Sequence, residues 1–301
     1  MTMASFTDKI RTSWDLLCRS LHVIQKNPKL FLFPVVSTLC ALAIFLFFFA
    51  PILAVMFVGV WSGAPAASHM DWKEIGARYH LAMYVYGVAL YLVSMFVATF
   101  MNVAFYNEIM RALAGEPVSI GHGLRFASSR VGAILMWSLL AGTVGLIIRA
   151  IEERLGWIGK IVMAFVGTAW SVAAVFAIPV IIRRTDSNPL AVLRDSVTTL
   201  KRTWGESLVG FVGIQLGGAM LVLLSVGLLV PAAILLVATH QFWIGCAVIV
   251  LWLLSIFATS FLIGMATHVY RCALYVYASE GVVPEPYTAE MMNAGWKVKK
   301  A

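Results

Sequence analysis

The sequence predicts an all-α polytopic membrane bundle of six transmembrane helices, arranged as three hairpins that are each preceded by a cytoplasmic amphipathic helix. Two observations carry this prediction. Hydrophobic residues make up 61% of the chain and charged residues only 12%, whereas soluble domains carry about 25% charged residues. Six apolar stretches also reach the length of about 20 residues that a helix needs to cross a bilayer. We therefore expect lipid to be the solvent for much of this chain.

The six apolar stretches give the boundaries of the predicted spans. They cover residues 30–60, 81–107, 131–150, 158–182, 207–237 and 242–278. The last two are long and require tilt or extension beyond the hydrocarbon. Because only residues 238–241 connect them, they are expected to form a tight antiparallel hairpin. The whole chain, 1–301, is predicted to be one membrane domain with a cytoplasmic tail at 279–301.

Lysine and arginine residues are distributed unequally between the two sides of these spans. Of the 22 basic residues, 17 lie in the N-terminal segment, the second and fourth loops and the C-terminal tail. The five on the other side are Lys73, Arg78, Arg149, Arg154 and Lys160. Since cytoplasmic loops of membrane proteins carry the excess of Lys and Arg, both termini are predicted to be cytoplasmic.

The segment before the first span is predicted to be an amphipathic helix over residues 5–26. Apolar residues recur there at steps of three and four, which is the spacing of one helix face. They are Phe6, Ile10, Trp14, Leu17, Leu21 and Ile24. Asn27-Pro28 should end this helix, because the residue before a proline is disfavoured in the α-conformation.

Two further loops repeat this design. In the fourth loop, Ser187 or Asn188 can cap a helix over 189–205, and Pro189 suits its first position. Its apolar face is Leu190, Leu193, Val197, Leu200 and Trp204, and the weaker face in the second loop is Ile120, Leu124, Ala127 and Val131. We interpret the chain as three repeats of an interfacial helix and a hairpin, in which Ser20, Gly123 and Ser196 occupy matching positions. Such helices are expected in the lipid headgroups or against one another.

The best polar cluster lies near the cytoplasmic ends of the second and sixth predicted spans. It consists of Asn102, Asn107, Glu108, His268 and Arg271. Ionisable residues inside a membrane often mark functional sites, so a site for a polar ligand or a lipid headgroup is one interpretation. The favoured interpretation is structural, with Glu108 paired to Arg271 or to Arg111 and the long side chains snorkelling to the interface.

The sequence lacks the motifs of several enzyme classes. It contains no nucleophile elbow, Walker loop, dinucleotide-binding glycine motif or HExxH. His268 and Cys272 share a helix face but supply only two metal ligands, so no metal site is predicted. The basic residues are not gathered in one soluble module, which argues against a nucleic-acid partner. No catalytic or cofactor-binding residue is therefore predicted.

Several motifs resemble those of a known group of proteins. They are SWDLLCRS (13–20), LFLFPVVS (30–37), WSLLAGTVGLIIRAIEERLG (137–156), AW with a later IPV (169–180), RTWGES (202–207) and YRCALYVYASEG (270–281). With these motifs the chain resembles an uncharacterised family of prokaryotic six-span membrane proteins that carries a domain-of-unknown-function label. The resemblance covers almost the whole chain and implies a bacterial inner membrane location. It implies no activity.

Three function classes follow from these observations. The first is a non-enzymatic membrane scaffold or assembly partner that contacts lipids, other membrane proteins or further copies of itself. The second is a channel or transporter for a neutral or lipidic cargo. A continuous polar stripe through the spans would support this class. The third is a lipid-modifying enzyme, for which Glu108, His268 and Arg271 are the only candidate set. The near absence of charges within the spans favours the first class.

Overall fold

The computed structural model describes residues 6–61, 72–202, 242–289 and 291. These residues form nine α-helices and one short 3-10 helix, and no strand occurs among them. The helices are α1 (Phe6–Lys26), α2 (Leu32–Trp61), α3 (Trp72–Leu113), α4 (Ile120–Ser129), α5 (Val131–Arg154), α6 (Trp157–Ala173), α7 (Ala177–Arg183), α8 (Pro189–Arg202) and α9 (Phe242–Glu280). The 3-10 helix, Pro28–Phe31, joins α1 to α2. The all-helical prediction is confirmed for this part of the chain.

Five helical segments in the described residues are long and apolar enough to cross a membrane. They are Pro28–Ala50, His80–Leu113, Val131–Arg154, Gly159–Arg183 and Cys246–Glu280. Each overlaps a predicted span. The remaining prediction, at 207–237, lies outside the described residues. By length and composition these helices are consistent with a membrane protein.

The predicted ends of two helices are confirmed. The backbone N–H of Asn27 still reaches the carbonyl of Val23, at 3.1 Å, and α1 stops there because Pro28 follows. At the start of α8, Asn188 Oδ1 accepts hydrogen bonds from the N–H groups of Leu190 (3.0 Å) and Ala191 (3.3 Å). Asn188, rather than Ser187, is thus the capping residue, with Pro189 in the first turn where its missing N–H is harmless.

One predicted span is not a single helix. The span predicted over 158–182 consists of two helices, because α6 ends at Ala173 and α7 begins at Ala177. Pro179 is the physical reason, since it has no N–H for the carbonyl of Val175 and its ring collides with that carbonyl in a straight helix. The turn over 174–176 lets the chain pass this point and resume a helix that contains Pro179.

The chain divides into two compact units. The first contains the described parts of Met1–Leu30, Glu108–Val118 and Val197–Ala301, and the second contains Phe31–Asn107 and Ser119–Ser196. In the first unit, α1 packs against α9. In the second unit, α5 packs against α6, where Trp137 and Trp170 stack with ring centroids 6.2 Å apart. In the same unit, the ring centroids of Phe33 in α2 and Phe105 in α3 are 5.5 Å apart.

A glycine of α5 makes room for a side chain of α3 in the second unit. A Cβ atom added to Gly142 would lie 3.0 Å from a methyl carbon of Leu92. The absence of a side chain at residue 142 therefore leaves space for this leucine against α5.

The buried face of α1 differs from the prediction. Among residues 14–26, whose side chains are described, the buried ones are Leu16, Leu17, Ser20, Val23 and Ile24, and the predicted Phe6 and Ile10 lie outside this part. Leu17 and Ile24 were predicted, but Trp14 is 49% exposed and Leu21 is half-buried. The face that contacts protein is thus centred on Ser20 and rotated from the predicted apolar face.

The short helices α4 and α8 show the same rotation. In α8, Ser196 and the predicted Leu200 are buried, whereas the predicted Leu190 is 64% exposed, and Trp204 lies outside the described residues. In α4 the buried residues are Gly123 and Ala127. A small residue therefore lies at the centre of the buried face in all three helices, because it allows close contact with the neighbouring element.

Candidate functional site at the ends of the apolar helices

Glu108 is a completely buried carboxylate near the C-terminal end of α3. Its exposed fraction is 0%, and its Oε1 lies 3.6 Å from Nη1 of Arg111, one turn later. A buried carboxylate is costly unless a cation or hydrogen-bond donors compensate it. The pairing of Glu108 with Arg111, one of the two predicted alternatives, is confirmed.

The turn after α3 brings a second carboxylate to Arg111. Gly115 adopts φ 77°, a left-handed conformation that favours glycine. The N–H of Gly115 bonds the carbonyl of Ala112 and the N–H of Glu116 bonds the carbonyl of Arg111. This helix ending returns the chain over α3, and Arg111 Nε donates to Glu116 Oε2 at 2.8 Å. Arg111 thereby bridges one buried and one exposed carboxylate.

The other predicted cluster residues have different surroundings. His268 and Arg271 lie one turn apart on α9 and are half-buried. Asn107 is buried, but Asn102 is exposed and lies on another face of α3. Glu108, His268 and Arg271 belong to the first compact unit, and the two asparagines belong to the second. The five residues are therefore distributed over both units.

Ser196 of α8 bonds to both sides of the break between α6 and α7. Its Oγ donates to the carbonyl of Ala173 at 2.6 Å and accepts from the N–H of Phe176 at 3.1 Å. In a continuous helix these two backbone groups would bond to Ala177 and Val172. The break removes those partners, and the buried serine hydroxyl replaces both of them. This contact fixes α8 to the preceding helix.

Arg184 makes a second, more exposed connection at the same place. Its Nε and Nη2 donate to the two carboxylate oxygens of Asp186, at 2.6 and 2.7 Å, and its Nη1 contacts Asp195 of α8. The hydrogen bond from Arg184 holds the pKa of Asp186 below its usual value. These groups are 29–47% exposed, so solvent screens the pairs.

Ser20 of α1 connects the two ends of the described chain. Its Oγ donates to the carbonyl of Leu16 at 2.8 Å and lies 2.8 Å from Oη of Tyr287, which is 267 residues away in the sequence. Tyr287 is 6% exposed and follows α9 in the segment that begins at Gly281. Burial raises the pKa of the Tyr287 hydroxyl, so this contact is made by the neutral phenol.

Two of these contacts were not found from the sequence. Ser196 was marked as a repeat position, but nothing local pointed to Ala173 or Phe176 as its partners. Tyr287 was placed in the C-terminal tail, although an aromatic residue directly after Pro284-Glu285-Pro286 is a signal for an ordered segment. A proline-restricted segment that ends in an aromatic side chain has low chain entropy and a large apolar group to bury.

The fold and this site define a class of protein. Five of its described helical segments are long and apolar, and large hydrophobic side chains are exposed on them, as is consistent with a membrane protein. Residues 81–284 match the family described as "Family of unknown function (DUF6159)". The chain belongs to this family, as the resemblance in its motifs predicted.

No curated protein and no solved structure matches the chain significantly.

Proposed function

We propose that the protein is a non-enzymatic scaffold or assembly partner in the bacterial inner membrane, with six spans in three hairpins and both termini in the cytoplasm. One observation carries the proposal. Polar side chains of the short helices and of the ends of apolar helices bond to other parts of the same chain. Ser20 and Ser196 lie on short helices, and Arg111 and Arg184 lie at the ends of apolar helices. These polar groups thus hold α1 and α8 against the rest of the protein and are not left to bind a cargo.

The exposed apolar residues of these short helices support a position in the membrane surface. Trp14 of α1 is 49% exposed and Leu190 of α8 is 64% exposed, while the small residues of the same helices are buried. Each helix therefore has one face for protein and another apolar region for a different neighbour. A helix in the headgroup region needs both, because its apolar side enters the acyl boundary.

The common burial pattern also supports the threefold repeat. Ser20, Gly123 and Ser196 are buried, and so are Ile24, Ala127 and Leu200, which follow them by one turn. The contacts extend the likeness. α8 is held to Arg184, the residue that follows α7, and α1 packs on α9. We infer that these two interfacial helices each dock on the second span of a hairpin.

The described spans contain little that could carry a polar cargo. No Asp, Glu, Lys or Arg occurs at residues 32–61, 81–107, 131–148, 161–182 or 242–270. Large apolar side chains are instead exposed on their sides, as for Phe47 (75%), Phe165 (73%) and Phe257 (72%). Such surfaces fit lipid chains or the apolar helices of a partner.

A channel or transporter for a neutral or lipidic cargo is the second candidate. Glu108 favours it, because a fully buried carboxylate within an apolar helix is a common mark of a transport site. The scaffold interpretation assigns Glu108 to the contact with Arg111 instead. The two candidates therefore differ in what loss of this carboxylate should do.

Native mass spectrometry of the protein in lipid nanodiscs, extracted without harsh detergent, tests the scaffold. We expect a stoichiometric second membrane protein or a closed homo-oligomer. The variant Glu108→Gln with His268→Ala is compared with Glu285→Gln with His22→Ala, which makes the same changes at exposed positions of the same unit. If the first variant keeps its partner and its stability but loses flux or turnover while the control does not, the scaffold proposal is wrong.

A further inference from the structure

A groove of about 590 Å³ lies between the end of α5 and the start of α6. Its lining residues are Gly145, Ile148, Arg149, Glu152, Glu153 and Lys160. This volume is within the range of about 300–1,000 Å³ that is usual for sites of small ligands. All of these residues belong to the second compact unit, and none belongs to the cluster around Glu108.

The groove lies at the depth where hydrocarbon gives way to headgroups, given the membrane position that we propose. The uncharged part of α5 starts at Val131 and ends at Ile148, a distance of about 27 Å at about 1.5 Å per residue. That is close to the hydrocarbon thickness of about 30 Å. Arg149, the first charged residue after this stretch, is therefore at the interface. Trp157, 73% exposed at the start of α6, is a typical interfacial residue.

The charges of the groove are balanced and divided between two helices. Arg149 and Glu153 of α5 form an ion pair with each other at 3.1 Å. Glu152 of α5 and Lys160 of α6 remain to contact a ligand, one as a hydrogen-bond acceptor and one as a donor. A ligand with separate negative and positive groups matches this arrangement better than one with a single charge, because the four side chains sum to zero.

A hydroxyl group adds a neutral donor beside the groove. A Cβ atom on Gly145 would lie only 2.7 Å from Oη of Tyr91 in α3. The missing side chain therefore leaves room for the tyrosine hydroxyl next to the groove floor. Phosphate oxygens accept hydrogen bonds from groups of this kind as well as from lysine.

Apolar residues around the groove indicate where the rest of the ligand would lie. Ile151 and Leu155 are each 42% exposed, and Ile161 is 49% exposed. Ile151 and Ile161 are next in sequence to the lining residues Glu152 and Lys160, and exposed apolar side chains at these positions suit acyl chains. A small polar solute has no apolar part to contact these side chains, so a lipid is the better match.

We propose that this groove binds the headgroup of a phospholipid that carries a phosphate and a primary ammonium group. Lys160 contacts the phosphate, the Tyr91 hydroxyl against Gly145 is a second donor, and Glu152 accepts hydrogen bonds from the ammonium. A quaternary ammonium has no N–H to donate and is usually held by aromatic rings. None of the lining residues is aromatic. The groove should therefore prefer phosphatidylethanolamine to phosphatidylcholine. The inference depends on the membrane location proposed above, but not on the scaffold role.

The test is lipid retention by native mass spectrometry, after reconstitution in nanodiscs with equal amounts of phosphatidylethanolamine, phosphatidylcholine and phosphatidylglycerol. We expect the wild type to retain one phosphatidylethanolamine preferentially. Glu152→Gln with Lys160→Gln should reduce this preference about five- to tenfold, since each exposed charged contact is worth up to about fivefold in affinity. Arg154→Gln with Glu285→Gln removes the same charges from exposed positions outside the groove and should leave the preference unchanged.

Three results would overturn the inference. They are equal retention of the three lipids by the wild type, an equal loss in the control variant, or binding of soluble phosphoethanolamine as strongly as the lipid. Thermal unfolding in the nanodisc shows whether the groove variant is folded, and the single variants Glu152→Gln and Lys160→Gln are used if it is not. The same spectra also report whether a partner protein or a homo-oligomer is bound. If the lipid preference is absent but the partner is present, the lipid inference fails and the scaffold proposal stands.

Discussion

Ser20 of α1 and Ser196 of α8 are both fully buried at matching positions of short helices, but they hold those helices by different bonds. Ser196 supplies the partners of two backbone groups at a helix break, Ala173 O and Phe176 N. Ser20 bonds to a carbonyl of its own helix and to the side chain of Tyr287. Loss of the first hydroxyl removes a hydrogen bond from two backbone groups, one buried and one partly buried, whereas loss of the second removes a hydrogen bond from one phenol. The same buried position can therefore have very different energetic importance.

The largest expected effect is that of Ser196→Ala. Each buried polar group left without a partner costs about 1–3 kcal/mol, so we expect the free energy of unfolding to fall by about 2–3 kcal/mol. The measurement is denaturant or thermal unfolding in lipid nanodiscs. Ser171→Ala is the matched control, because Ser171 is exposed and bonds only to the carbonyl of Gly167 in its own helix. Equal losses in the two variants would remove the basis of the comparison.

The next effect is a coupling between Ser196 and Pro179. In Pro179→Ala, residue 179 gains an N–H for the carbonyl of Val175, and a straight helix over 174–176 becomes accessible. Ala173 and Phe176 could then bond within the helix. We expect Ser196→Ala to cost about 1–2 kcal/mol less in this background than in the wild type. A double-mutant cycle measures the difference. Additive costs would show that Pro179 does not cause the break.

Tyr287→Phe should have a smaller effect, a loss of about 1 kcal/mol of stability. Ser20 keeps its bond to Leu16 in this variant, and no backbone group loses its partner. Tyr84→Phe is the control, because Tyr84 is 64% exposed. A loss as large as that of Ser196→Ala would contradict the distinction between the two serines.

Tyr287→Phe should also change how stability depends on pH in alkaline solution. Burial raises the pKa of Tyr287, so the folded state favours the neutral phenol. This contribution to stability is complete below the pKa of an unfolded tyrosine, about 10, and is lost as pH rises above it. The stability of the wild type should therefore fall more steeply above about pH 10 than that of Tyr287→Phe. Parallel pH profiles would mean that the phenol is not buried.

The smallest effect is expected for Arg184→Gln, which removes the exposed contacts beside Ser196. Solvent screens these ion pairs, so the loss of stability should be below that of Tyr287→Phe and should shrink in 1 M salt, where the Debye length is about 3 Å. The arginine lowers the pKa of Asp186, so its contribution is present above the unfolded pKa, about 3.9, and is lost as pH falls further. Unfolding at two salt concentrations and two pH values tests this. A salt-independent loss would show that packing by Arg184, not its charge, holds α8.

Much of the helical layout was predictable because its causes are local. The apolar stretches, the stop at Asn27-Pro28 and the cap at Asn188 all depend on residues within a few positions of one another. Pro179 predicts a distortion of its span, but a proline in a membrane helix can produce either a kink or an interruption, so the break at 174–176 was not predictable from it. The candidate site was predictable only in part. The pairing of Glu108 with Arg111 lies within one turn, but the surroundings of Asn102 depend on what covers α3.

The sequence by itself determined that the chain is helical, rich in apolar spans and poor in charge within them. Tertiary structure alone decided which faces of α1 and α8 contact protein. In water an apolar face must turn to the protein, but at a membrane it can turn to lipid as well, so periodicity does not choose between Trp14 and Ser20. It also decided that Ser20 meets Tyr287 across 267 residues, since no local pattern encodes a contact between such distant positions.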